Sequence, residues 1–584
     1  MNKRILSLLL AALLILPTLA FMGCEKSTSE LKLTADGPVP VTMTLYSITE
    51  NETTEEARQA VEDEINRITE YEFNTHIILR LFTAEEYQAK VEADLAEAEK
   101  TYVEDDSEVT DENGNPIEVI TTGKETLETT TRPVETNEDG ETKHRVVISE
   151  EKVSYPAENG TQVDIFLVNS VDNYYKYINE GIIQRLDDEL IGNSALITKY
   201  IHPTYLNAAA TTLTKGVYSG YYGIPNNKVV GDYEYILLRK DLVDKYGHDY
   251  TELTTLSKLE EYISDVRGEG VTTILDTYGV APLSISMTGE DSLFGSYVGY
   301  APKQTNNAMP RNLLTNSSFQ KEYSQIRTLK AQGTMVEGEL TEDPNAACIF
   351  VKGSAAIPEL YADKYYASVY KYPTATNENT FNSVYAVSKY AQSLKRCMQV
   401  IKYMQTNEEL ANILRYGVKD EHYTYDEDNN IVTVISNDYK ANPEYSGNMF
   451  LTYQNTGMSE EELKLSADSW ALGKQQNLEA LGSPYLSFSP ITTEVMFEDE
   501  SSMQTYEQDG EQIMAEVIKA SDEAEAKLAA YTGTGDALIA YMNTLGEEFG
   551  KNPAVAAALG NYTNSAFARY IAWYKVMYDT STEG

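Results

Sequence analysis

The stretch from Val41 to Ala98 constrains the fold most. Val41-Thr-Met-Thr-Leu-Tyr46 alternates and is rich in β-formers, which predicts a strand. Thr53 to Ile68 places Ala57, Ala60, Val61, Ile65 and Ile68 at helical spacing. Thr75-His-Ile-Ile-Leu-Arg-Leu-Phe82 predicts a second strand. Thr83 and Glu86 form a capping-box pattern ahead of a helix through Tyr87, Val91, Leu95 and Ala98. A strand, helix, strand, helix series can bury its strands only in a parallel sheet covered by helices, so the chain opens as an α/β domain.

The pattern then stops and resumes. Glu104 to Glu158 holds 16 acidic and 5 basic residues and few that could build a core. It is expected to be a solvated insertion, either disordered or a β-hairpin around Pro116–Ile120 and His144–Ile148. The series resumes at the apolar run Val163-Asp-Ile-Phe-Leu-Val168, followed by Tyr174, Tyr175 and Tyr177 on a helix. Further strands are expected at Glu234–Arg239, Val280–Ser284 and Ser383–Val387, with a turn leading into a strand over Phe350–Ile357. Helices are expected at Lys240–Lys245, Leu256–Val266, Phe319–Gln332 and Ala391–Met404, and the chain beyond Glu507 reads as mainly helical.

Charge and composition narrow the partners. The chain carries 46 Lys and Arg against 91 Asp and Glu, a formal charge of −45. That excludes phosphate-backbone binding, which needs clustered cations, so no nucleic acid is expected. Tyr outnumbers Phe 44 to 13, which suits wet surfaces and polar ligands because tyrosine pairs an apolar ring with a hydroxyl. Three cysteines leave no disulfide scaffold, and whether Cys348 and Cys397 pair is open.

The N-terminus reads as an export signal. Met1-Asn-Lys-Arg4 is a basic start, Ile5 to Ala20 an apolar core, and Phe21-Met-Gly-Cys24 resembles a lipoprotein signal-peptidase site. Residues 1–23 are then removed, Cys24 is the lipidated first residue, and residues 24–37 form a flexible tether. No later stretch reaches 18 apolar residues in a row, so the body is expected to sit lipid-anchored on the extracytoplasmic face of the cell membrane.

Nothing in the sequence marks a catalyst. There is no Walker A loop, no Gly-x-Gly-x-x-Gly, no Gly-x-Ser-x-Gly and no His-Glu-x-x-His, and the five histidines lack metal-ligand spacing. Asp426-Glu-Asp-Asn-Asn430 has neither the spacing nor the distal Glu of a calcium loop and reads as a turn between extended segments. No cofactor, no metal and no catalytic residue is therefore expected.

Several segments resemble a known family. Phe350-Val-Lys-Gly-Ser-Ala-Ala-Ile357 resembles the Phe-x-x-Gly-Lys-Ala-Ala-Met signature of bacterial ABC-transporter solute-binding proteins of the carbohydrate class. Tyr222-Gly-Ile-Pro225, Arg239-Lys-Asp-Leu242 and Tyr246-Gly247 resemble that family's hinge-crossing segment. Tyr416-Gly-Val418, His422 to Asp426, Gly447-Asn448, Trp470, Asn477 and Ser483-Pro484 are similar to a subgroup of large Gram-positive lipoproteins assigned to sugar uptake. The resemblance spans most of residues 38–500. It departs at the acidic insertion, at Ser354 where Lys is common, and at the helical C-terminus.

The resemblance implies a two-lobed type II periplasmic-binding-protein fold, each lobe a mixed sheet flanked by helices, with a helical C-terminal extension. Lobe 1 would comprise residues 38–232 and 380–440, with the insertion 104–158. Lobe 2 would comprise residues 233–379 and 441–584. The implied function is capture of a carbohydrate, an oligosaccharide, and delivery to the permease subunits of an ABC transporter by a monomer. A peptide- or other small-solute-binding lipoprotein and a surface glycan-active enzyme are the alternatives. Sugar hydroxyls need amides, hydroxyls and carboxylates, and sugar C–H faces need aromatic rings, all of which strand-end loops supply. The expected ligand-binding residues are Ser47, Thr49, Asn169, Ser170, Asp172, Tyr222, Asn226, Glu359, Tyr361, Trp470 and Tyr485.

Overall fold

The computed structural model describes residues 40–101, 161–192, 194–213, 217–293, 295–300, 310–428, 431–455, 460–483, 486–487 and 500–559, and the backbone of two short strands in the insertion. Cys24, the signal segment, the tether and Tyr485 lie outside the described residues.

The opening series folds as the periodicity dictates. The strand Val41–Thr49 is buried at all but one position, so it lies centrally between helices. It pairs parallel with Thr75–Thr83, in register from Val41↔Thr75 to Thr49↔Thr83, and with Ile165–Val168 on its other side. The helix Glu55–Phe73 between the first two strands is capped by Thr54, whose side chain accepts the N–H of Ala57. It buries Ala57, Val61, Ile65 and Ile68 as the spacing requires. Its polar residues also close an open sheet edge. Glu62 accepts the Leu79 N–H at 2.7 Å, and Asn66 pairs with both the N–H and the carbonyl of Ile77, at 2.6 and 2.9 Å. The outer edge of Thr75–Thr83 is thereby denied to other strands.

Two five-stranded sheets organise the chain. The first runs Thr75–Thr83, Val41–Thr49, Ile165–Val168, Val384–Val387, Ile224–Pro225. The second runs Met335–Glu337, Thr272–Asp276, Ala346–Gly353, Tyr233–Arg239, Tyr365–Lys371. Each is mixed, with Val384–Val387 and Tyr233–Arg239 as the antiparallel members. The expected two-lobed α/β class is therefore what forms. Strand alternation gives lobe 2 two cores. Ile236, Leu238, Cys348 and Phe350 pack under helices Leu256–Val266 and Ser317–Ala331, while Tyr235, Leu237, Ile349 and Val351 pack on the opposite face. The C-terminal helices Glu500–Ala530, Gly535–Gly550 and Pro553–Leu559 build a further core in which Val517, Leu528, Met542 and Phe549 meet Tyr297, Leu314 and Phe319.

Three expectations are corrected. Val280–Ser284 is not a strand but the start of a helix, Val280–Met287. Pro282 falls in its first turn, where no N–H is required, and the short apolar run carries no period that separates helix from strand. Phe350 to Gly353 closes a strand instead of preceding one, and Ile357 opens a short helix, Ile357–Leu360, with Pro358 in its first turn. Within the insertion, the strands that pair are Pro133–Thr136 and Thr142–His144, while Pro116–Ile120 lies outside the described residues. Cys348 and Cys397 are both buried free thiols. Asp426 faces Ile431 across an antiparallel pair, as expected of a turn.

Lobe 1 is tied together by one buried carboxylate. Asp164 is fully buried and accepts the Thr44 N–H at 2.8 Å, the Thr44 hydroxyl at 3.1 Å, the Gln162 amide at 2.5 Å and the Gln392 N–H at 2.7 Å. Burial outweighs these donors and pushes its carboxyl up to about 6. The folded value lies above the unfolded one, so the stability that Asp164 contributes is full below about pH 4 and is lost as pH rises through about 6. Asp164→Asn must aim an amide N–H at a backbone donor and is expected to lower the melting temperature at every pH. Between pH 4 and pH 7 the wild type should lose on the order of 3 kcal/mol relative to the variant. Paired thermal melts across that range check both statements, and a pH-independent difference would contradict the second.

Candidate functional site

Strand direction defines the site. In lobe 1, Val41–Thr49, Thr75–Thr83, Ile165–Val168 and Ile224–Pro225 all end at one edge of the sheet, where Val384–Val387 begins. In lobe 2, Ala346–Gly353 and Tyr365–Lys371 end where Tyr233–Arg239 begins, with Gly353 opposite Tyr233 and Lys371 opposite Glu234. Two crossovers join these edges. Residues 226–232 run from Pro225 to Tyr233, and residues 372–383 run from Lys371 to Val384. The first can hold the edges no further apart than roughly 30 Å. The space between the lobes is therefore lined by strand ends, the position from which open α/β sheets offer loops to ligands.

The lobe 1 edge collects Ser47, Thr49, Asn169, Ser170, Asp172 and Asn226 from three distant segments. Several of these side chains already have partners within the lobe. Ser47 donates to the Tyr385 hydroxyl at 3.3 Å, and that hydroxyl donates to the Tyr445 carbonyl at 2.7 Å. Thr49 donates to the Asn51 carbonyl at 2.9 Å. Ser170 caps the helix Val171–Asn179 by accepting the Asn173 N–H at 3.1 Å. Asn226, buried, donates to the Glu444 carbonyl at 2.8 Å. Asn169 and Asp172 are half-buried at the start of that helix, and Asn169 accepts the Asn173 side-chain amide at 3.1 Å. Tyr222 is half-buried, packs on the lobe 1 core and donates its N–H to the Tyr174 hydroxyl at 3.1 Å.

The remaining candidates are more dispersed. Glu359 stands exposed on the helix Ile357–Leu360 beyond the lobe 2 edge. Tyr361 donates to the Thr341 carbonyl at 3.1 Å. Trp470 donates its indole N–H to the Thr452 carbonyl at 2.8 Å and meets Phe450 edge-on at 5.9 Å.

Two groupings escape a reading of the sequence. Residues 437–445 lie along the lobe 1 edge, since the Lys440 carbonyl accepts the Glu50 N–H at 2.8 Å and the Asn437 carbonyl accepts the Asn51 amide at 2.7 Å. Their Asn, Asp and Pro content signals a loop, but no local pattern says which edge it follows. Behind the lobe 2 edge lies a charged network. The Lys371 ammonium is 2.6 Å from Asp291 and 3.5 Å from Glu234, and Glu234 also accepts from Tyr370 at 2.9 Å and from Ser286. Burial opposes the charge on Lys371, but the two carboxylates outweigh it and hold the ammonium above its usual value. Burial, then Tyr370 and Glu234, drive the Tyr278 hydroxyl far upward, so it stays protonated. Tyr372, next along the chain, is 45% exposed and lies 5.9 Å from the Tyr233 ring.

A polar knot joins the crossovers on the lobe 1 side. Lys228 from the first crossover is 3% exposed, donates to Asn382 from the second, and reaches Glu444 at 2.8 Å. Asn382 donates to the same carboxylate at 3.0 Å. Burial lowers the Lys228 pKa, and Glu444 partly restores it. The crossovers also touch at Gly231, whose φ is +68° and whose added Cβ would stand 2.8 Å from the Thr374 carbonyl oxygen.

No family model and no curated protein matches the chain. The N-glycan transport solute binding protein NgtS from Streptococcus pneumoniae, in complex with Man1GlcNAc, aligns at 14% identity over 92% of this chain and 100% of its own, with a TM-score of 0.49. An extracellular solute-binding protein from Bifidobacterium longum subsp. infantis aligns at 12% identity over 92% of this chain and 99% of its own, also with a TM-score of 0.49. At these values the likeness carries no weight in deciding what the cleft holds.

The knot makes an asymmetric prediction. Glu444→Ala strands a buried ammonium and should cost about 2–4 kcal/mol, somewhat below a fully buried pair because the Glu444 side chain is 36% exposed. Lys228→Met leaves Glu444 with access to water and should cost less than half as much. Chemical denaturation of both variants checks the order, and equal losses would contradict it.

Proposed function

We propose that the chain captures a carbohydrate, specifically an oligosaccharide, between its lobes and delivers it to an ABC-transporter permease from a body anchored outside the membrane by lipid on Cys24. One observation carries the reading: two sheet edges, the first bearing amides, hydroxyls, a carboxylate and a tyrosine and the second carboxylates, hydroxyls and tyrosine rings, are tied edge to edge by short crossovers. A polyhydroxyl ligand needs that chemistry from both sides. Among the described residues no helix is long and apolar enough to cross a membrane; the anchor rests on the resemblance of Phe21-Met-Gly-Cys24 to a lipoprotein signal-peptidase site. The motifs around Tyr222, Phe350 and Tyr416 support the same function.

In this reading Asn169, Asp172 and Tyr222 present lobe 1 to the ligand. Ser47, Thr49, Ser170 and Asn226 act by holding the edge in shape. Tyr372, with part of its ring in solvent, offers lobe 2 a stacking face for a sugar ring. The protein binds and releases; it does not turn its ligand over. Contacts on both lobes favour the closed arrangement, so ligand drives hinge closure.

Calorimetry against a panel of oligosaccharides and peptides tests the reading. An oligosaccharide should bind without being cleaved, and Asn169→Ala should weaken it roughly tenfold through an unpaired ligand hydroxyl. Peptide binding alone, or steady cleavage of the glycan, would overturn it. Independently, Cys24→Ala should release the body from the membrane or leave it unprocessed. Mass spectrometry showing an unmodified mature N-terminus at another residue would contradict the anchor.

A further inference from the structure

A third connection runs between the lobes, and it is a helix. Near Trp470 the helix Glu460–Glu479 is bound to lobe 1. The indole N–H donates to the Thr452 carbonyl at 2.8 Å, and the Arg415 guanidinium lies 5.7 Å from the ring centre. Arg415 belongs to the helix Glu408–Tyr416, which buries Leu410, Ile413 and Leu414 in the lobe 1 core. At its other end the helix meets both lobes: the Tyr205 hydroxyl of lobe 1 donates to the Asn477 carbonyl at 3.1 Å, and two side chains reach lobe 2. Gln476 accepts the Ala355 N–H at 2.9 Å, and Glu479 accepts the hydroxyl of Tyr233, the first residue of a lobe 2 strand, at 2.6 Å.

Between these anchors the helix reads the first crossover. Asn477 accepts the Val230 N–H at 2.9 Å and donates to the Lys228 carbonyl at 2.7 Å. Gln476 donates to the Gly231 carbonyl. Both amides are buried, at 4% and 0% exposure. An amide side chain carries a donor and an acceptor, so it can serve a strand's carbonyl and N–H as a neighbouring strand would. Gly473 lets the helix sit directly on the crossover, since a Cβ there would come within 2.7 Å of the Val229 side chain.

We propose that this helix is a strut that sets the resting angle between the lobes, and that Asn477 is the positioning residue that braces its pivot. Lys228 is fixed to lobe 1 by Glu444 and Asn382, and Gly231 is fixed to lobe 2 through Gln476 and Ala355. Between them lie Val229, whose N–H donates to the Met449 sulfur at 3.2 Å, and Val230. Asn477 spans Val229, taking the Val230 N–H and giving to the Lys228 carbonyl, so a change in lobe angle that turns this stretch has to strain or break its two bonds. Loss of the amide leaves two buried backbone groups without partners and the pivot without a stop. The strut acts in the ligand-free protein, whatever the cleft binds.

Pulsed electron paramagnetic resonance tests it without ligand. Spin labels are attached through Asp63→Cys on lobe 1 and Glu261→Cys on lobe 2, both exposed, in a Cys24→Ser background. Cys348 and Cys397 are fully buried and stay unlabelled. Asn477→Ala is expected to widen the inter-lobe distance distribution and move its mean. Leu478→Ala, on the same helical turn and 64% exposed, is expected to leave it unchanged. A folded Asn477→Ala protein with the wild-type distribution overturns the proposal, as does an equal shift from Leu478→Ala. Should Asn477→Ala not fold, Gln476→Leu and Tyr233→Phe, which cut the strut from lobe 2, carry the same expectation. Wild-type distributions in both would overturn it.

Discussion

A chain that leaves one sheet for another carries its backbone donors and acceptors out of both ladders, and each one buried on the way needs a partner. That constraint shapes the joint between the lobes. Asn227 gives its N–H to Gly447 and takes one from Met449, at 2.8 and 2.9 Å, so the crossover begins as a strand beside a third segment. Beyond it the Val229 N–H goes to the Met449 sulfur, and the Lys228 carbonyl, the Val230 N–H and the Gly231 carbonyl go to the amides of Asn477 and Gln476. The second crossover is held in turn, with Pro373 and Ala375 accepting the N–H groups of Leu481 and Ser483 at 2.9 and 2.8 Å. The alignment of the two edges follows from these bonds.

The two lobes can tilt against each other because their cores are separate. The lobe 1 core gathers Val41, Phe166, Val384 and Leu410, while lobe 2 packs on the two faces of its own sheet. Bonds between the lobes are polar and local to the joint, so tilting does not open either apolar core. Tyrosine makes this practical. Tyr233 and Tyr385 bury their rings in a lobe and spend their hydroxyls on the joint or the edge. Phenylalanine at those positions would pack equally well and hold nothing.

Much of the fold is legible in the sequence, for a physical reason. Ala57, Val61, Ile65 and Ile68 repeat at the helical period, and the strand runs around Leu45, Phe166 and Ile236 are apolar because both sheet faces are covered. Val280–Met287 was not legible, because an eight-residue apolar segment with a proline fits either element. The edges are legible as loops after strands, which is how Ser47, Asn169 and Asn226 come together. Which side chains remain for a ligand is not. Ser170 is a helix cap and Thr49 bonds its own turn, choices set by geometry a few residues away. Glu234, Asp291 and Lys371 are scattered along the chain and meet only through strand register. Trp470 and Asn477 stand out as landmarks in the sequence, but their place on a strut appears only once both lobes are built.

The central claim is that one ligand is gripped from both sheet edges at once. Hydrogen–deuterium exchange, read peptide by peptide with and without a bound oligosaccharide, tests it most directly. The account predicts added protection in residues 47–51 and 169–173 of lobe 1 together with residues 276–279 and 371–374 of lobe 2, at the same ligand concentration. Protection confined to one lobe, or centred away from both edges, would contradict it.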